Sequence, residues 1–376
     1  MRVSILGPAY PLRGGIAHHV YWVWKELNNR GHTVQVVSFR KLYPNILFPG
    51  TTQLDTSHLK LDAHALPTLT PLNPATWLQA FKQVKSFSPD VIVIQWWQPF
   101  FGLLVGTLAR LFRRAGFKCI IECHNVISHE GNPLDKLLAR FALSAADHFI
   151  THSTQDREDL LSIVPGKEVT VSPLPCLDEF SGPAAESRFP GRTILFFGTI
   201  RKYKGLDVLL AAMPRVLLKV ECNLIIVGEF YDSIDKYRQL IREHRLESYV
   251  RVDNRYVPNE EVPGIFKQAD VLVLPYLTAT QSAVARLALS NGLPIVASRT
   301  GGLSEVVREN ITGLLFPPGD PDALADQIVN YFTNSLGPTF AENIRKNSED
   351  SNRQIVDVIE EISLRTIPDS RFATPS

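Results

Sequence analysis

Short runs of branched apolar residues alternate with helical patterns along almost the whole chain. In its first half the apolar runs are RVSILG, HTVQVVSF, DVIVIQW, KCIIECH, DHFITHS and EVTVSP. They are rich in Val and Ile rather than alternating apolar with polar, which indicates strands covered on both faces of a sheet. Helical periodicity falls over residues 16–30, 103–115 and 134–144. This order of strands and helices predicts a parallel α/β sheet.

The same alternation begins again in the second half of the chain. Its apolar runs are TILFFG, CNLIIVG, YVRVDN, DVLVLPY, LPIVAS and GLLFPPG. Helices are predicted to begin near Lys204, Ser233, Glu260, Gln281, Leu303 and Asp320. A stretch that contains Pro and Gly, between Ser172 and Gly191, separates the two halves.

The fold class predicted is therefore α/β, with two Rossmann-like, doubly wound domains that face a cleft. We expect the first domain over residues 1–175, a linker over 176–191 and the second domain over 192–340. The remaining residues, 341–376, are expected to form a C-terminal helix that crosses back to the first domain, followed by a tail.

The composition and charge of the chain argue against nucleic-acid binding and against a membrane-spanning segment. The chain has 376 residues and a net charge of +1, so no overall field attracts nucleic acid. Its start lacks the pattern of a signal peptide, and no apolar run approaches the ~20 residues of a membrane span. The four cysteines are scattered and are expected to be reduced core thiols. We expect a cytoplasmic protein.

Loops that follow strands carry the candidate chemistry, because ligands of open parallel sheets bind at the carboxyl ends of the strands. After the first strand, Gly14 and Gly15 precede a helix and would let a ligand approach its positive end. The G-x-G-x-x-G pattern is missing, and Arg40 stands where a ribose-binding acid is expected, which disfavours a dinucleotide dehydrogenase. A plain tight turn is the alternative for the glycine pair.

The second half offers three such loops. Arg201, Lys202 and Lys204 lie between a strand and a helix, where cations suit a diphosphate, although Lys202 is expected to be solvated. In the next loop a hydroxyl caps the helix and three backbone amides form a second anion site. The residues of that loop are Thr280, Gln281, Ser282 and Ala283. In the third loop, Gly301 and Gly302 precede a further helix.

These elements, in this order, resemble the retaining family-4 glycosyltransferases with the GT-B fold. The motifs are GGIAHHV and LNNRGHTVQVV in the first half, then FFGTIRKYKGLDVLLAA, NGLPIVASRTGGLSEVV and GLLFPPGDPDALA in the second. The likeness is strongest over residues 194–325 and weakest over 42–90 and after 334. It implies an acceptor in the first domain and a nucleotide diphosphate sugar, as donor substrate rather than cofactor, in the second.

Site residues follow from the same resemblance. Gly14 and Gly15 would face the donor phosphate and the acceptor, and Lys204 would hold the diphosphate. Arg201 would replace an arginine that the family often has where Thr199 stands. His124, in IIECHNV, would lie against the donor sugar.

The sequence departs from the family at a pair of glutamates before its G-x-P motif. The corresponding positions are Ala279 and Leu287, and no neighbouring register supplies a glutamate. The replacements we consider are Gln281 and Thr280 for the sugar, backbone amides for the phosphate and Glu229 for the ribose. The A-T-Q-S segment resembles a branch of the family with this altered site.

The function expected from the resemblance is front-face transfer of a hexose, without a metal, to a glycan or lipid-linked acceptor. The alternative is a non-catalytic protein that binds a nucleotide sugar or glycan on the same scaffold. An epimerase or phosphorylase would need acids or a pyridoxal lysine that the sequence does not offer.

Four further features have two interpretations each. The spacing of His124, His129, Glu130 and His152 does not indicate a metal site, and Asp320 and Asp322 are read as helix-capping acids, so we predict no metal ligands. Trp96, Trp97 and Phe100 either pack in the core or form an acceptor wall. The segment 102–118 either contacts an anionic membrane at its inner face or is an ordinary surface helix, the reading we favour.

Overall fold

The computed structural model describes residues 1–44, 48, 50–126, 133–176, 178–180, 191–346 and 354–365. Two parallel sheets dominate this part of the chain. The first has the strand order β3-β2-β1-β4-β5-β6-β7 and the second β10-β9-β8-β11-β12-β13. The strands are β1 (Arg2–Leu6), β2 (Thr33–Phe39), β3 (Leu66–Leu69), β4 (Val91–Trp96), β5 (Lys118–Cys123), β6 (His148–Thr151), β7 (Glu168–Val171), β8 (Arg192–Phe197), β9 (Cys222–Val227), β10 (Val250–Asp253), β11 (Val271–Leu274), β12 (Ile295–Ser298) and β13 (Gly313–Phe316).

Helices connect the strands and cover both faces of each sheet. They are α1 (Gly15–Asn29), α2 (Pro74–Phe87), α3 (Gly102–Arg114), α4 (Pro133–Leu143), α5 (Thr154–Ile163), α6 (Leu206–Leu217), α7 (Ile234–Glu243), α8 (Val262–Phe266), α9 (Ala283–Ser290), α10 (Leu303–Val306), α11 (Pro321–Thr333), α12 (Gly337–Lys346) and α13 (Gln354–Leu364). The central strands, such as β4 and β11, are buried at every residue. The prediction of two doubly wound parallel α/β units is confirmed.

Elements of the first half that lack a strong apolar pattern were not predicted. Strand β3 lies at the sheet edge and contains Pro67, and its pairing with β2 shifts register between Ser38 and Phe39. Helix α2 begins with a signal that is present in the sequence: the Asn73 side chain accepts a hydrogen bond from the Ala75 amide at 3.1 Å. An edge strand that contains proline and a helix that alternates apolar with polar residues have no long apolar run. A search for such runs therefore does not find them.

The described part of the C-terminal segment contains helices α12 and α13. Helix α12 packs through Phe340 and Ile344 against the core of the second sheet. Helix α13 lies on α1 of the first half, where Arg30 pairs with Asp357 at 2.6 Å and with Glu360 at 2.9 Å. Most of the expected linker, residues 347–353 and the tail after 365 lie outside the described residues. None of the described helices is both long and apolar enough to cross a membrane.

In each sheet the strand order reverses direction at the equivalent position. It does so between β1 and β4 in the first sheet and between β8 and β11 in the second. At such a point the loops leave in opposite directions, which opens a crevice outside the carboxyl ends of the strands. The two crevices face each other across the cleft.

Candidate functional site

A cavity of about 440 Å³ lies between the two sheets. Loops that follow β1 and β4 line it on one side, and loops that follow β8, β9 and β11 line it on the other. Seven of the predicted site residues line it: Gly14, Gly15, Lys204, Glu229, Gln281, Ser282 and Ala283.

Two helices begin at this cavity and point their first turns at each other. A Cβ placed on Gly15, the first residue of α1, would lie 3.4 Å from the Cβ of Ala283, the first residue of α9. Gly14 has φ +119°, a conformation that favours glycine, and nothing lies within 4 Å of the space its side chain would take. Ser282 caps α9 by accepting a hydrogen bond from the Ala285 amide at 3.1 Å. Both positive helix ends therefore face one small volume.

Lys204 brings a cation to the same volume. It lies in the turn between β8 and α6, is 8% exposed, and its Nζ is 5.7 Å from the ring centroid of Tyr276. Burial, followed by repulsion from Arg201, lowers the pKa of Lys204 to about 8. Across the described ranges no carboxylate forms an ion pair with it. An anion in the cavity would supply the missing counter-charge.

The glycine after Lys204 explains why the turn has its shape. Gly205 has φ +66°, and a Cβ there would lie 2.0 Å from the carbonyl oxygen of Pro275. Only glycine lets the turn pass this close to the end of β11. The Lys-Gly pair thus combines a charge with the backbone freedom needed to bury it.

Gln281 lines the cavity, but its amide atoms do not face it. In the part of the chain that the structure describes, its Nε2 and Oε1 are buried beside Gly302 and the Asp156 carboxyl and make no hydrogen bond of good geometry. A buried amide without partners costs roughly 1–3 kcal/mol. A sugar hydroxyl would recover that free energy only after the side chain turned toward the cavity.

Five predicted site residues do not line the cavity. The Thr280 hydroxyl donates to the Asn125 side chain of the first half. Arg201 is exposed and lies over the ring of Tyr231, a cavity residue, at 4.9 Å. The other three are His124, Gly301 and Gly302.

Gly301 and Gly302 support the loop before α9 from behind. A Cβ on Gly301 would lie 1.6 Å from the Ala279 carbonyl oxygen, and one on Gly302 would lie 2.2 Å from the Thr280 carbonyl oxygen. Gly301 and Gly302 therefore do not line the cavity, and their contact with a ligand stays a prediction. Their small size lets α10 pack against the loop that carries Gln281.

Glu229 lines the cavity but is already engaged across the cleft. Its carboxylate pairs with Arg13 and accepts a hydrogen bond from the Thr51 amide at 2.9 Å. Arg13 in turn lies over the ring of Tyr256 at 4.7 Å. Through this contact Glu229 links a loop of the first half to the end of β9.

His124 lies behind the cavity in a buried group of polar residues. Its Nε2 is 2.5 Å from Gln95 Oε1. Burial, then the charges of His152 and His19, hold the pKa of His124 well below its usual range, so the ring is neutral near pH 7. His124 does not line the cavity, and its predicted contact with the donor sugar stays a prediction.

The group around His124 was not predicted as a unit. His19 of α1, Glu122 of β5, His124 and His152 are all buried, and we call them the histidine cluster. Burial alone would raise the pKa of Glu122, but interaction with His19 and then His152 holds it well below its usual range. His19 and Glu122 are 103 residues apart, so no local spacing could reveal their contact.

Trp96 and Trp97 have different surroundings. Trp96 is fully buried in the core, whereas Trp97 lines the cavity. Trp97 Nε1 and Gln98 Nε2 both donate to the Tyr43 hydroxyl, at 3.1 Å and 2.8 Å. Phe100 packs on Tyr43 with ring centroids 5.6 Å apart. An aromatic wall thus closes the first-half side of the cavity.

Other acids and thiols of the sequence analysis have structural contacts. Asp320 caps α11 by accepting from the Ala323 amide at 2.9 Å, and Asp322 pairs with Arg215 at 2.9 Å. The four cysteines are reduced and buried. His129 and Glu130 lie outside the described residues.

Comparison with solved structures identifies the architecture. Sucrose-phosphate synthase from Thermosynechococcus elongatus superposes with a TM-score of 0.77 at 20% identity, covering 96% of this chain and 98% of that one. Anabaena HepE in complex with UDP-glucose superposes with a TM-score of 0.71 at 17% identity, over 96% and 98% of the two chains. The predicted GT-B fold is confirmed.

Sequence comparison adds the family. An uncharacterised glycosyltransferase of Methanocaldococcus jannaschii is 31% identical over 134 residues, which are 36% of this chain and 34% of that protein. The alignment thus spans about a third of this relative's length. Residues 14–175 match the family described as "Glycosyl transferase 4-like domain", and residues 191–334 match "Glycosyl transferases group 1". Together the two matches cover most of both halves, and the chain belongs to the group 1, family-4-like glycosyltransferases.

Proposed function

We propose that the protein transfers a hexose from a nucleotide diphosphate donor to a glycan or lipid-linked acceptor, with retention of the anomeric configuration. The observation that carries the proposal is Lys204, a buried cation without an anionic partner among the described residues, which lines the cavity at which α1 and α9 begin. A diphosphate has the charge and size for that position. Because the similar HepE structure contains UDP-glucose, a UDP-sugar is the first donor to test.

The proposed reaction is a front-face displacement. The bond between the anomeric carbon and the diphosphate oxygen breaks, and the acceptor oxygen bonds to that carbon on the same face. The departing diphosphate oxygen takes the acceptor's proton. Lys204, Arg201 and the amides near Gly15 and Ser282 stabilise the charge that grows on the diphosphate. This chain of steps uses no metal ion.

Groups other than the family's glutamates would bind the sugar and the ribose. The two glutamate positions hold Ala279, which is buried, and Leu287, which adds an apolar surface to the cavity. We assign the sugar hydroxyls to Gln281, whose amide has no other hydrogen-bond partner among the described residues. Glu229 is assigned to the ribose, which would share the carboxylate with Arg13 and Thr51.

The first half would hold the acceptor. Trp97 and Tyr43 present an aromatic wall to the cavity, which suits the apolar face of a sugar ring. For a lipid-linked acceptor, the exposed Leu103, Leu134 and Leu137 supply an apolar surface at the start of α3 and on α4, while the basic residues of α3 lie at its other end. Peripheral contact with the inner face of a membrane is part of this proposal.

A second candidate function is nucleotide-sugar binding without turnover, and the apolar residues at both glutamate positions favour it. A panel of UDP-, GDP- and ADP-sugars separates the two. Release of nucleoside diphosphate that accelerates with acceptor glycans would establish transfer. A rise in Tm with a donor, without any release, would establish the binding protein and overturn the transferase proposal.

A further inference from the structure

The histidine cluster is a compact set of metal-ligating atoms at the carboxyl end of the first sheet. One nitrogen or oxygen from each of His19, Glu122, His124 and His152 lies within 4.8 Å of the corresponding atom of the others, and all four residues are buried. We infer that this cluster binds a divalent transition metal ion, with Zn²⁺ the ion that three imidazoles and one carboxylate favour. The inference does not depend on the proposed transferase activity.

His152 supplies the main argument. Its Nδ1 is 2.8 Å from the Ser172 carbonyl oxygen, which can only accept, so Nδ1 carries the hydrogen. Its Nε2 lies 3.3 Å from Glu122 Oε1, and in the neutral ring this nitrogen has the lone pair. A proton or a metal ion between the two atoms would relieve their repulsion, and a metal ion would in addition be within reach of His19 and His124. With bonds of ~2.0 Å, two ligand atoms on a tetrahedral zinc are also roughly 3.3 Å apart.

The surrounding contacts are those that orient metal ligands. Ligating histidines donate their second nitrogen to a carbonyl, as His152 does, and ligating carboxylates accept a further hydrogen bond. Glu122 Oε2 accepts from Gln95 Nε2 at 2.7 Å. The oxygen of the same Gln95 amide faces His124, so His124 Nε2 is the donor at 2.5 Å and its Nδ1 keeps the lone pair for a metal.

His19 completes the set and requires one proton to leave. Its Nε2 is 2.6 Å from Glu122 Oε1, a hydrogen-bond distance, while its Nδ1 has no hydrogen-bond partner among the described residues. Binding of the ion would replace the bridging proton, which passes to solvent, and would move the two atoms apart by roughly 0.7 Å.

The position of His19 suggests what the ion does. His19 lies on α1, one turn after Gly15, whereas Glu122 lies in β5 and His124 and His152 directly follow β5 and β6. An ion held by all of them would fix the start of α1 to the sheet. The site is therefore structural, and it lies behind the cavity rather than in it.

The test is metal binding by the full chain after treatment with a chelator. We expect Co²⁺ to give the intense visible absorption of a four-coordinate site with one equivalent bound. Zn²⁺ should displace it and raise Tm with concentration. Glu122→Gln and His152→Gln should each weaken Zn²⁺ binding by at least about 100-fold. His148→Gln is the matched control, because His148 begins β6, the strand that His152 follows, and contacts Glu168 rather than the histidine cluster.

Circular dichroism identifies any variant that fails to fold, and the wild-type cobalt spectrum tests the inference without any variant. A folded wild-type chain that shows no stoichiometric cobalt absorption and no zinc-dependent Tm would overturn the metal site. Equal zinc affinity in the Glu122→Gln and His148→Gln variants would overturn it as well. Metal binding and sugar transfer are measured separately. Sugar transfer without metal binding would overturn only this inference, and metal binding without transfer would overturn only the proposed function.

Discussion

The two sheets have the same strand order around their switch points, but the buried polar side chains at those points are paired differently. At the end of the first sheet, Gln95, Glu122 and His124 pair chiefly with one another, at 2.7 Å and 2.5 Å. At the end of the second sheet, Lys204 lines the cavity and forms no ion pair with a carboxylate of the described chain. The difference lies in pairing, since the fold is shared.

A buried ammonium without a carboxylate is costly, so Lys204 identifies the second sheet as the side that binds an anion. Burying such a charge without a partner costs several kcal/mol and is seldom retained without use. The first sheet contributes Gly15 and the aromatic wall to the cavity. The second sheet is expected to supply most of the binding free energy.

Removing the charge of Lys204 is the strongest test of this asymmetry. Lys204→Ala should lower kcat/KM for sugar transfer by roughly 10³-fold, because the growing charge on the leaving diphosphate loses its buried cation. Initial rates with a UDP-sugar measure the effect. Lys202→Ala, two residues away in the same turn and exposed, should change the rate less than about threefold. Similar rates for the two variants would remove Lys204 from the mechanism.

Filling the gap between the two helix starts tests the contribution of shape. Gly15→Val should reduce kcat/KM by about 100-fold, since a side chain there enters the 3.4 Å contact with Ala283 and displaces the diphosphate. Val23→Ile, on the buried face of α1 and outside the residues that line the cavity, tests packing alone. A Gly15→Val variant with normal donor affinity would mean that the ligand avoids this point.

The fold was predictable from the sequence because its strands are long apolar runs that begin and end at loops. The second-half turns were predictable for a local reason: Lys204 and Gly205 are adjacent, as are Gln281 and Ser282. The histidine cluster was not, because its members come from α1, β5 and β6 and meet only when the sheet forms. Gly301 and Gly302 show the converse, since a glycine pair required for packing has the same sequence pattern as one that faces a ligand.

The pKa of Lys204 predicts that donor affinity and stability respond to pH in opposite directions. Its pKa is about 8 in the folded chain and 10.5 ordinarily. Above pH 8 the folded protein binds fewer protons than the unfolded chain, so the stability of the ligand-free protein should rise between pH 8 and 10. Diphosphate binding then has to restore the proton, which weakens affinity by about tenfold at pH 9. Calorimetry with UDP and unfolding in urea measure the two slopes.

A Lys204→Met variant provides the control for both measurements. It keeps much of the side chain's apolar length and removes the titrating group. Both pH dependences should disappear in it. An unchanged pH dependence of UDP affinity in Lys204→Met would assign the titration to another residue.

The smallest effect is expected at Gln281, where binding and stability again separate. Gln281→Ala should stabilise the ligand-free protein by about 1 kcal/mol, since it removes two buried atoms that make no hydrogen bond among the described residues. It should also change the preference among UDP-sugars by severalfold while UDP affinity stays constant, because the amide contacts the sugar and the phosphate does not need it. Urea unfolding and competition between donors measure the two effects.

Ser282→Ala, which removes the α9 cap beside Gln281, should instead destabilise the fold by ~1 kcal/mol. If Gln281→Ala were as destabilising as Ser282→Ala, the amide would have a protein partner and the contrast between the two sheet ends would fail at this residue.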